Sequence, residues 1–370
     1  MNRKHLLGVA GTIALVVLLL ASWPEVSAQI GNRSDLLAEI DSIVRETMES
    51  DHLVGASIGI MKGGEVIVAK GYGYADLENE VKATEHTVYR IGSITKQFTA
   101  ASIMKLVETG KLSLEDELTQ FLPDYPTNGH KVTIDRLLNH TSGIKAFTAM
   151  PEYREVMRQD LSQEELTDIF SAVPFEFAPG DEYKYNNSAY FLLGTIIEKA
   201  SGESYEDFLA GHIWEPLGML ESHYLDNSPI VPNRAEGYEY RDGRVVNDDP
   251  ISMRLPFSAG ALGSSVTDLF TWQSALLNNR VVSESSYERM ITPGSLNDGE
   301  RLAYGYGLAV GEMDGHFKIS HGGGINGFRT HLSYYPDDDL TVVVLTNTGS
   351  ARPQVLEGRI AQTVLGIVNE

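Results

Sequence analysis

The sequence predicts an α/β (α+β) fold: an antiparallel sheet flanked by helices, built from both chain ends, with an inserted all-helical domain. Three observations predict it. Strand-like segments around a Gly63-Gly64 turn follow an amphipathic N-terminal segment. Helical patterns dominate from Leu112 to about Tyr240. Strand-like runs return after about Pro250 and end in a helix. This order is expected when a chain begins a sheet, leaves it to build a second lobe and comes back to complete it. The boundaries read this way are 1–28 for a signal segment, 29–98 and 250–370 for a discontinuous sheet domain, and 99–249 for the mainly helical domain.

Taken in order, Arg3 and Lys4 precede an uncharged apolar run from Leu6 to Ala21, and Val26-Ser27-Ala28 offers small residues for cleavage. That is the pattern of a secretory signal cut after Ala28, so the protein is expected to be exported, periplasmic or secreted. A retained membrane anchor is the alternative, although the run falls short of the roughly 20 residues a crossing needs. Ser34 to Met48 repeats Leu36, Leu37, Ile40, Ile43 and Val44 at helical spacing, with Ser34 as N-cap. Ala56 to Met61 and Val66 to Tyr74 form the hairpin, and Val88 to Ile91 is a short extended piece. The helix after Ser93 runs to about Glu108 and stops at Gly110. It is apolar nearly all round, which predicts burial. Ile134 to Leu138, Gln163 to Phe170, Ala189 to Ala200 and Tyr205 to Ile213 are the helices of the insert, separated by Pro and Gly. Ser265-Val266-Thr267-Asp268 opens a helix to Leu277 as a capping box. Gly305 to Val310, Phe317 to His321, Arg329 to Tyr335 and Leu340 to Asn347 are the returning strands, and Gln354 to Leu365 is the last helix.

The 370 residues suffice for a large core, and the formal net charge of −22 argues against nucleic acid and anionic membrane surfaces as partners. The absence of cysteine excludes disulfides and thiolate chemistry. The 10 histidines show no metal-ligand spacing, so neither metal nor cofactor is expected. No obligate protein partner is evident.

Three Ser-x-x-Lys patterns compete for the role of a serine nucleophile with its base: Ser93/Lys96, Ser102/Lys105 and Ser142/Lys145. Residues three apart on a helix share a face, so the amine of Lys96 can reach the Ser93 hydroxyl. A lysine serves as base where burial or a nearby cation keeps it neutral. Ser102/Lys105 lies half a turn out of phase with Ser93/Lys96, and Ser142/Lys145 spans Gly143 in a loop. Only Ser93 sits where a strand passes into a helix. The plain alternative is an N-cap serine and a surface lysine. Gly55-Ala56-Ser57-Ile58-Gly59 fits the nucleophile-elbow pattern, but strand and hairpin follow Ser57 where that elbow needs a helix. Tyr185-Asn186-Asn187 either presents a phenol and an amide together or is an ordinary polar turn. Ser320-His321-Gly322-Gly323-Gly324 lets a substrate approach the backbone or forms a flexible turn.

In this order, Ser93-x-x-Lys96, Tyr185-x-Asn187 and His321-Gly322-Gly323 resemble the three signatures of the serine β-lactamase-related hydrolases. That family includes class C β-lactamases, D-alanyl-D-alanine carboxypeptidases, D-aminopeptidases and family VIII-type esterases. The segments from Leu137 to Gly143 and from Ser258 to Ser265 are similar to further stretches of the family, and the resemblance spans about residues 34–365. It implies a β-lactamase/transpeptidase-like fold and an acyl-serine mechanism. By resemblance, Ser93 is the nucleophile, Lys96 primes it, and Tyr185 exchanges protons with Ser93, leaving group and water. A phenol of pKa ~10 needs cations to lower it for that task, with Lys96 and His321 as candidates. Asn187 would hold a substrate carbonyl or help orient Lys96, His321 and Gly323 would bind substrate, and the backbone N–H groups of Ser93 and Gly324 would form the oxyanion hole. Many relatives carry Lys-Thr-Gly where this chain has His321-Gly322-Gly323. The departure removes a permanent charge and a hydroxyl, and favours an esterase or D-amino-acid peptidase over a β-lactamase. The substrate is thus expected to be a small molecule or peptide. A non-catalytic binder of peptidoglycan fragments is the alternative from another class.

Overall fold

A computed structural model describes residues 33–367. The signal segment expected at 1–28 lies outside them. Helix α1 covers residues 33–50. Because residue 33 is already helical, Ser34 is not the cap expected of it. The sheet strands are β1 (Gly55–Lys62), β2 (Glu65–Asp76) and β3 (Val81–Lys82) from the first part of the chain. From the last part come β9 (Ala309–Met313), β10 (His316–Ile325), β11 (Phe328–Tyr335) and β12 (Leu340–Thr346). They form one seven-stranded sheet in the order β3-β2-β1-β12-β11-β10-β9. The junction of the two chain ends is the antiparallel β1–β12 pair, from Ala56 opposite Thr346 to Lys62 opposite Leu340.

Both faces of this sheet are covered, which is why β1 and β12 are buried along almost their whole length. On one face Ile58, Ile60, Val342 and Val344 pack against Ile40 and Val44 of α1 and Leu356 and Ile360 of the last helix. The other face joins the large core shared with the helical part of the chain. Ser57 belongs to that second face, bonded to the Thr84 carbonyl at 2.7 Å and to the Tyr89 hydroxyl at 2.9 Å, so it is a strand residue and not an elbow nucleophile.

The helices that position the site are α2 (Thr95–Glu108), α3 (Asn187–Ser201), α4 (Val266–Leu277) and α5 (Pro353–Leu365). α2 is buried on nearly every side, as its apolar circumference predicts. Phe98 stacks on Trp272 of α4 with ring centroids 4.0 Å apart, and Trp272 Nε1 donates to Gln97 Oε1 at 3.0 Å. Asn186 caps α3, its side-chain oxygen accepting from the Ala189 N–H at 3.0 Å.

The insert is mainly helical but not all-helical. It carries β5 (His223–Tyr224) and a hairpin of β6 (Tyr238–Arg241) and β7 (Arg244–Asn247). The hairpin turns at Asp242-Gly243, both at positive φ. A further pairing brings β4 (Tyr89–Arg90) and β5 to either side of β8 (Leu262–Ser264). None of these short strands is long enough to show a period of two in the sequence.

Candidate active site

Ser93 follows β4 in a single 3₁₀ turn, Gly92–Ile94, that runs directly into α2. Neither helical end uses a side-chain cap, so Ser93 is not an N-cap serine. The turn depends on Gly92. Its φ is +51°, and a Cβ there would lie 2.7 Å from the Gly324 nitrogen. Backbone contact of this kind requires glycine.

Lys96, the second residue of α2, is 0% exposed. Its Nζ lies 3.1 Å from Ser93 Oγ, 2.8 Å from Asn187 Oδ1 and 2.8 Å from the Ala259 carbonyl oxygen. No carboxylate pairs with it among the described residues, and burial alone pushes its pKa well below the ordinary lysine value. A neutral amine has two N–H donors and one lone pair. Asn187 Oδ1 and the Ala259 carbonyl can only accept, so they take the two donors. The lone pair then faces the one partner able to donate, the Ser93 hydroxyl. On its other side the Asn187 Nδ2 donates to Thr148 Oγ1 at 3.1 Å.

Tyr185 brings its phenol within hydrogen-bonding reach of Ser93. The residue is 37% exposed, but its hydroxyl end is enclosed, and burial raises its pKa against the opposing pull of Ser93. This corrects the expectation that Lys96 and His321 lower it. Lys96 Nζ lies over the Tyr185 ring, 4.8 Å from the centroid, rather than beside the hydroxyl, and burial disfavours the charged form of both supposed cations. Tyr185 therefore keeps its proton and can donate it to Ser93 Oγ.

His321 is 6% exposed and its pKa falls to about 3, burial being the largest cause. Its tautomer follows from its partners. The Gly322 carbonyl, 2.6 Å from Nδ1, only accepts, so Nδ1 carries the hydrogen. Nε2 then accepts from the Tyr304 hydroxyl at 2.9 Å. His321 thus offers no positive charge to a substrate, contrary to its expected part as a cation. A Cβ on Gly323 would meet the Ile91 carbonyl oxygen at 1.9 Å and Thr330 Oγ1 at 2.2 Å, so the glycine lets β10 seat against the turn that carries Ser93.

The other Ser-x-x-Lys pairs are separated. Ser102 Oγ bonds the Phe98 carbonyl at 2.8 Å and Lys105 reaches the Val281 carbonyl at 2.9 Å, while Lys145 pairs with Glu176 at 2.7 Å. Sequence reasoning missed Tyr304, which fixes His321, and the Ala259 carbonyl, which fixes Lys96. It also missed His140, whose Nδ1 accepts from the Asn186 N–H at 3.1 Å and whose ring lies 4.4 Å from that of Tyr185. A cleft of about 70 Å³ opens at this centre. Ser93, Asn187 and Gly324 lie on its floor, with Phe147, Ile251 and Ile325 among its apolar walls.

A buried Lys–Ser pair with a tyrosine and an asparagine, set between a sheet and a helical lobe, defines a serine hydrolase of the acyl-enzyme type. The Beta-lactamase family model matches residues 40–365, and the chain belongs to that family. It is 31% identical over 323 residues to Penicillin-binding protein 4* of Bacillus subtilis, covering 82% of this chain and 70% of that protein. The structure of the octameric penicillin-binding protein homologue from Pyrococcus abyssi is similar with a TM-score of 0.78 and 33% identity, over 89% of this chain and 77% of that one. A D-stereospecific amidohydrolase from Streptomyces sp. gives a TM-score of 0.75 and 25% identity, over 88% and 99%.

Proposed function

We propose that this serine hydrolase cleaves an ester or amide through an acyl-Ser93 intermediate, and that it does so as an exported enzyme. The observation that carries the mechanism is Lys96. It is buried without a counter-ion among the described residues, its two donors are occupied, and its lone pair is aimed at Ser93. As Ser93 Oγ bonds the substrate carbonyl carbon, its proton passes to Lys96. The new ammonium sits over the faces of Tyr185 and Tyr190, 4.8 and 5.4 Å from their centroids, which favour a cation. When the bond to the leaving group breaks, the Tyr185 hydroxyl supplies the leaving group's proton and recovers the one held by Lys96 along the hydrogen bonds that both make to Ser93 Oγ. Water then enters by the reverse path, breaks the Ser93 ester and releases the acid. The backbone N–H groups of Ser93 and Gly324 stabilise the oxyanion. Removing one such donor typically costs on the order of 100-fold or more in rate.

The neutral His321 and the apolar cleft walls favour acyl groups without a carboxylate beside the scissile bond. Esters and D-amino-acid amides fit this better than carboxypeptidase or β-lactam substrates. The name of the Streptomyces amidohydrolase supports an amide substrate, and that of the Bacillus relative supports binding of penicillin. Labelling with a fluorophosphonate and with a fluorescent penicillin, followed by peptide mapping, tests the nucleophile. Adduct on Ser93, lost in Ser93→Ala, is expected; adduct that survives Ser93→Ala sinks the reading. Turnover of p-nitrophenyl butyrate and D-phenylalanine amide above that of nitrocefin is expected, and sustained nitrocefin turnover would instead indicate a β-lactamase. Tight binding of a penicillin with no released product would indicate the non-catalytic alternative. N-terminal sequencing of protein recovered outside the cytoplasm tests export, with Gln29 expected as the first residue.

A further inference from the structure

β10 pairs with β9 only from His316 to Ser320, so past Ser320 one edge of β10 is free. Its other edge pairs with β11 as far as Ile325 opposite Phe328, with Asn326 and Gly327 as a two-residue turn. In an antiparallel hairpin of this kind the pair beside the turn carries ladder hydrogen bonds and the next pair does not. That next pair is Gly324 and Arg329. The N–H of Gly324 therefore points away from β11, toward the free edge. Gly92 lies at that edge, since a Cβ on it would stand 2.7 Å from the Gly324 nitrogen. The register thus leaves the Gly324 N–H open beside the turn that carries Ser93.

Side chains in a pair without ladder bonds stand close together on one face of the sheet. Gly324 has none, and Arg329 occupies its place. A Cβ on Gly324 would lie 3.3 Å from Arg329 Nη1, 3.5 Å from Cζ and 3.6 Å from Cδ, so the arginine side chain lies flat across the glycine. Nη1 donates to the Ile325 carbonyl at 3.2 Å and to the Phe328 carbonyl at 3.0 Å, which holds the guanidinium over the end of the hairpin. The side chain is half-buried, and among the described residues no carboxylate pairs with it. Gly323, on the opposite face of β10, meets the Ile91 carbonyl. Arg329 thus stands behind the strand whose edge, at Gly324, lines the cleft with Ser93.

We propose that Arg329 is a positioning residue for the oxyanion, setting a fixed positive charge behind the Gly324 N–H. The proposal rests on the acyl-serine reading. The backbone donors of the hole act as dipoles, whereas a guanidinium is a permanent cation. A charge already in place when the carbonyl oxygen becomes negative needs no reorganisation at that moment. The carbonyl of the bound ester is neutral, so the cation acts on the tetrahedral intermediate more than on the substrate, and on kcat more than on KM. It does not oppose the other half of the reaction. Burial alone sets the Lys96 amine, with no contribution from Arg329.

Butylboronic acid reads this directly. Ser93 Oγ gives an electron pair to boron, its proton passes to Lys96, and boron becomes a tetrahedral anion with one oxygen in the hole. Arg329→Gln keeps an N–H donor without the charge, and Arg329→Lys keeps both. Arg329→Gln is expected to weaken boronate binding about tenfold and to lower kcat for p-nitrophenyl butyrate by a similar factor, with KM held within about twofold. Arg329→Lys is expected to stay within about threefold of wild type in both. Melting curves accompany each variant, and Arg329→Met replaces Arg329→Gln if the latter does not fold. A glutamine or methionine variant no weaker than Arg329→Lys overturns the proposal, because a side chain that only ties down the turn would not rank them by charge. Boronate binding to Ser93→Ala as tight as to wild type overturns the acyl-serine reading and this proposal with it. Binding lost in Ser93→Ala but equal in the lysine and glutamine variants overturns the role of Arg329 alone.

Discussion

Lys96 is the residue on which the chemistry turns, and its protonation state is set by what surrounds it. Its three partners are satisfied by a neutral amine, with the lone pair on Ser93. Lys96→Arg tests this directly. Guanidinium carries a fixed charge and cannot give up its proton in a protein. A fall in kcat/KM of about 100-fold or more is expected, within the range of lost general-base catalysis, with fluorophosphonate labelling of Ser93 lost in parallel. Near-normal labelling in Lys96→Arg would show that a charged residue suffices. The spacing and the buried helix made Lys96 legible in the sequence, since a lysine on a helix apolar all round needs a reason to be there. The charge of His321 was not legible. Its partners are Tyr304, 17 residues earlier, and a backbone carbonyl, and its burial arises only when β10 meets the helical lobe. With a pKa of about 3, His321 stays neutral above roughly pH 4. The pH profile of kcat/KM for His321→Gln should therefore keep the wild-type shape between pH 5 and 8. A limb that vanishes from that range would mean His321 titrates during catalysis.

Two elements bring the catalytic groups together, the turn between β4 and α2 and the segment before α3. In the first, Gly92 holds a left-handed conformation against the backbone of Gly324. Gly92→Ala forces a Cβ into that contact and should separate Ser93 from the Gly324 N–H. A destabilisation of about 1–3 kcal/mol is expected from the strained φ. A loss of kcat larger than the change in KM should accompany it, read by steady-state kinetics on folded protein. In the second element, His140 anchors the Asn186 N–H between Tyr185 and Asn187. His140 itself has φ +63°, a conformation that asparagine tolerates and leucine does not. His140→Asn keeps an acceptor for that N–H and should retain most of kcat, whereas His140→Leu should lower it about tenfold or more. Equal losses in the two variants would show that His140 acts only by packing. Neither role could be read from the residues in order. A glycine before a serine and a histidine in Leu-Asn-His-Thr look ordinary until folding sets them against β10 and Tyr185. What the sequence did carry was the strand-to-helix position of Ser93.

Across the whole molecule, the passage from strands to helices and back was legible because β1, β2, β11 and β12 are long enough to show their pattern. The two-residue strands β4 and β5 are held by partners distant in sequence and have no pattern to show. The same long-range burial makes stability depend on pH. His140, His321 and His331 are all buried, and burial lowers the pKa of each below the ordinary histidine value of 6.5. His331 falls to about 4, its desolvation only partly offset by Glu357, whose carboxylate lies 3.7 Å away. The unfolded chain binds these protons near pH 6.5 and the folded chain does so only at much lower pH. Between those values the unfolded state holds more protons, so stability rises with pH there. Stability from these groups is complete above about pH 6.5 and is lost as the pH falls toward 4 and then 3. For His331 alone the loss on going to pH 5 is about 2 kcal/mol, at roughly 1.4 kcal/mol per pH unit below 6.5. His331→Gln has no proton to bind and removes that share. Urea midpoints measured from pH 8 to pH 5 should be flat to about pH 7 and then fall for the wild type, with a shallower fall for His331→Gln. The same slope in both proteins below pH 6.5 would show that His331 is already protonated in the folded state.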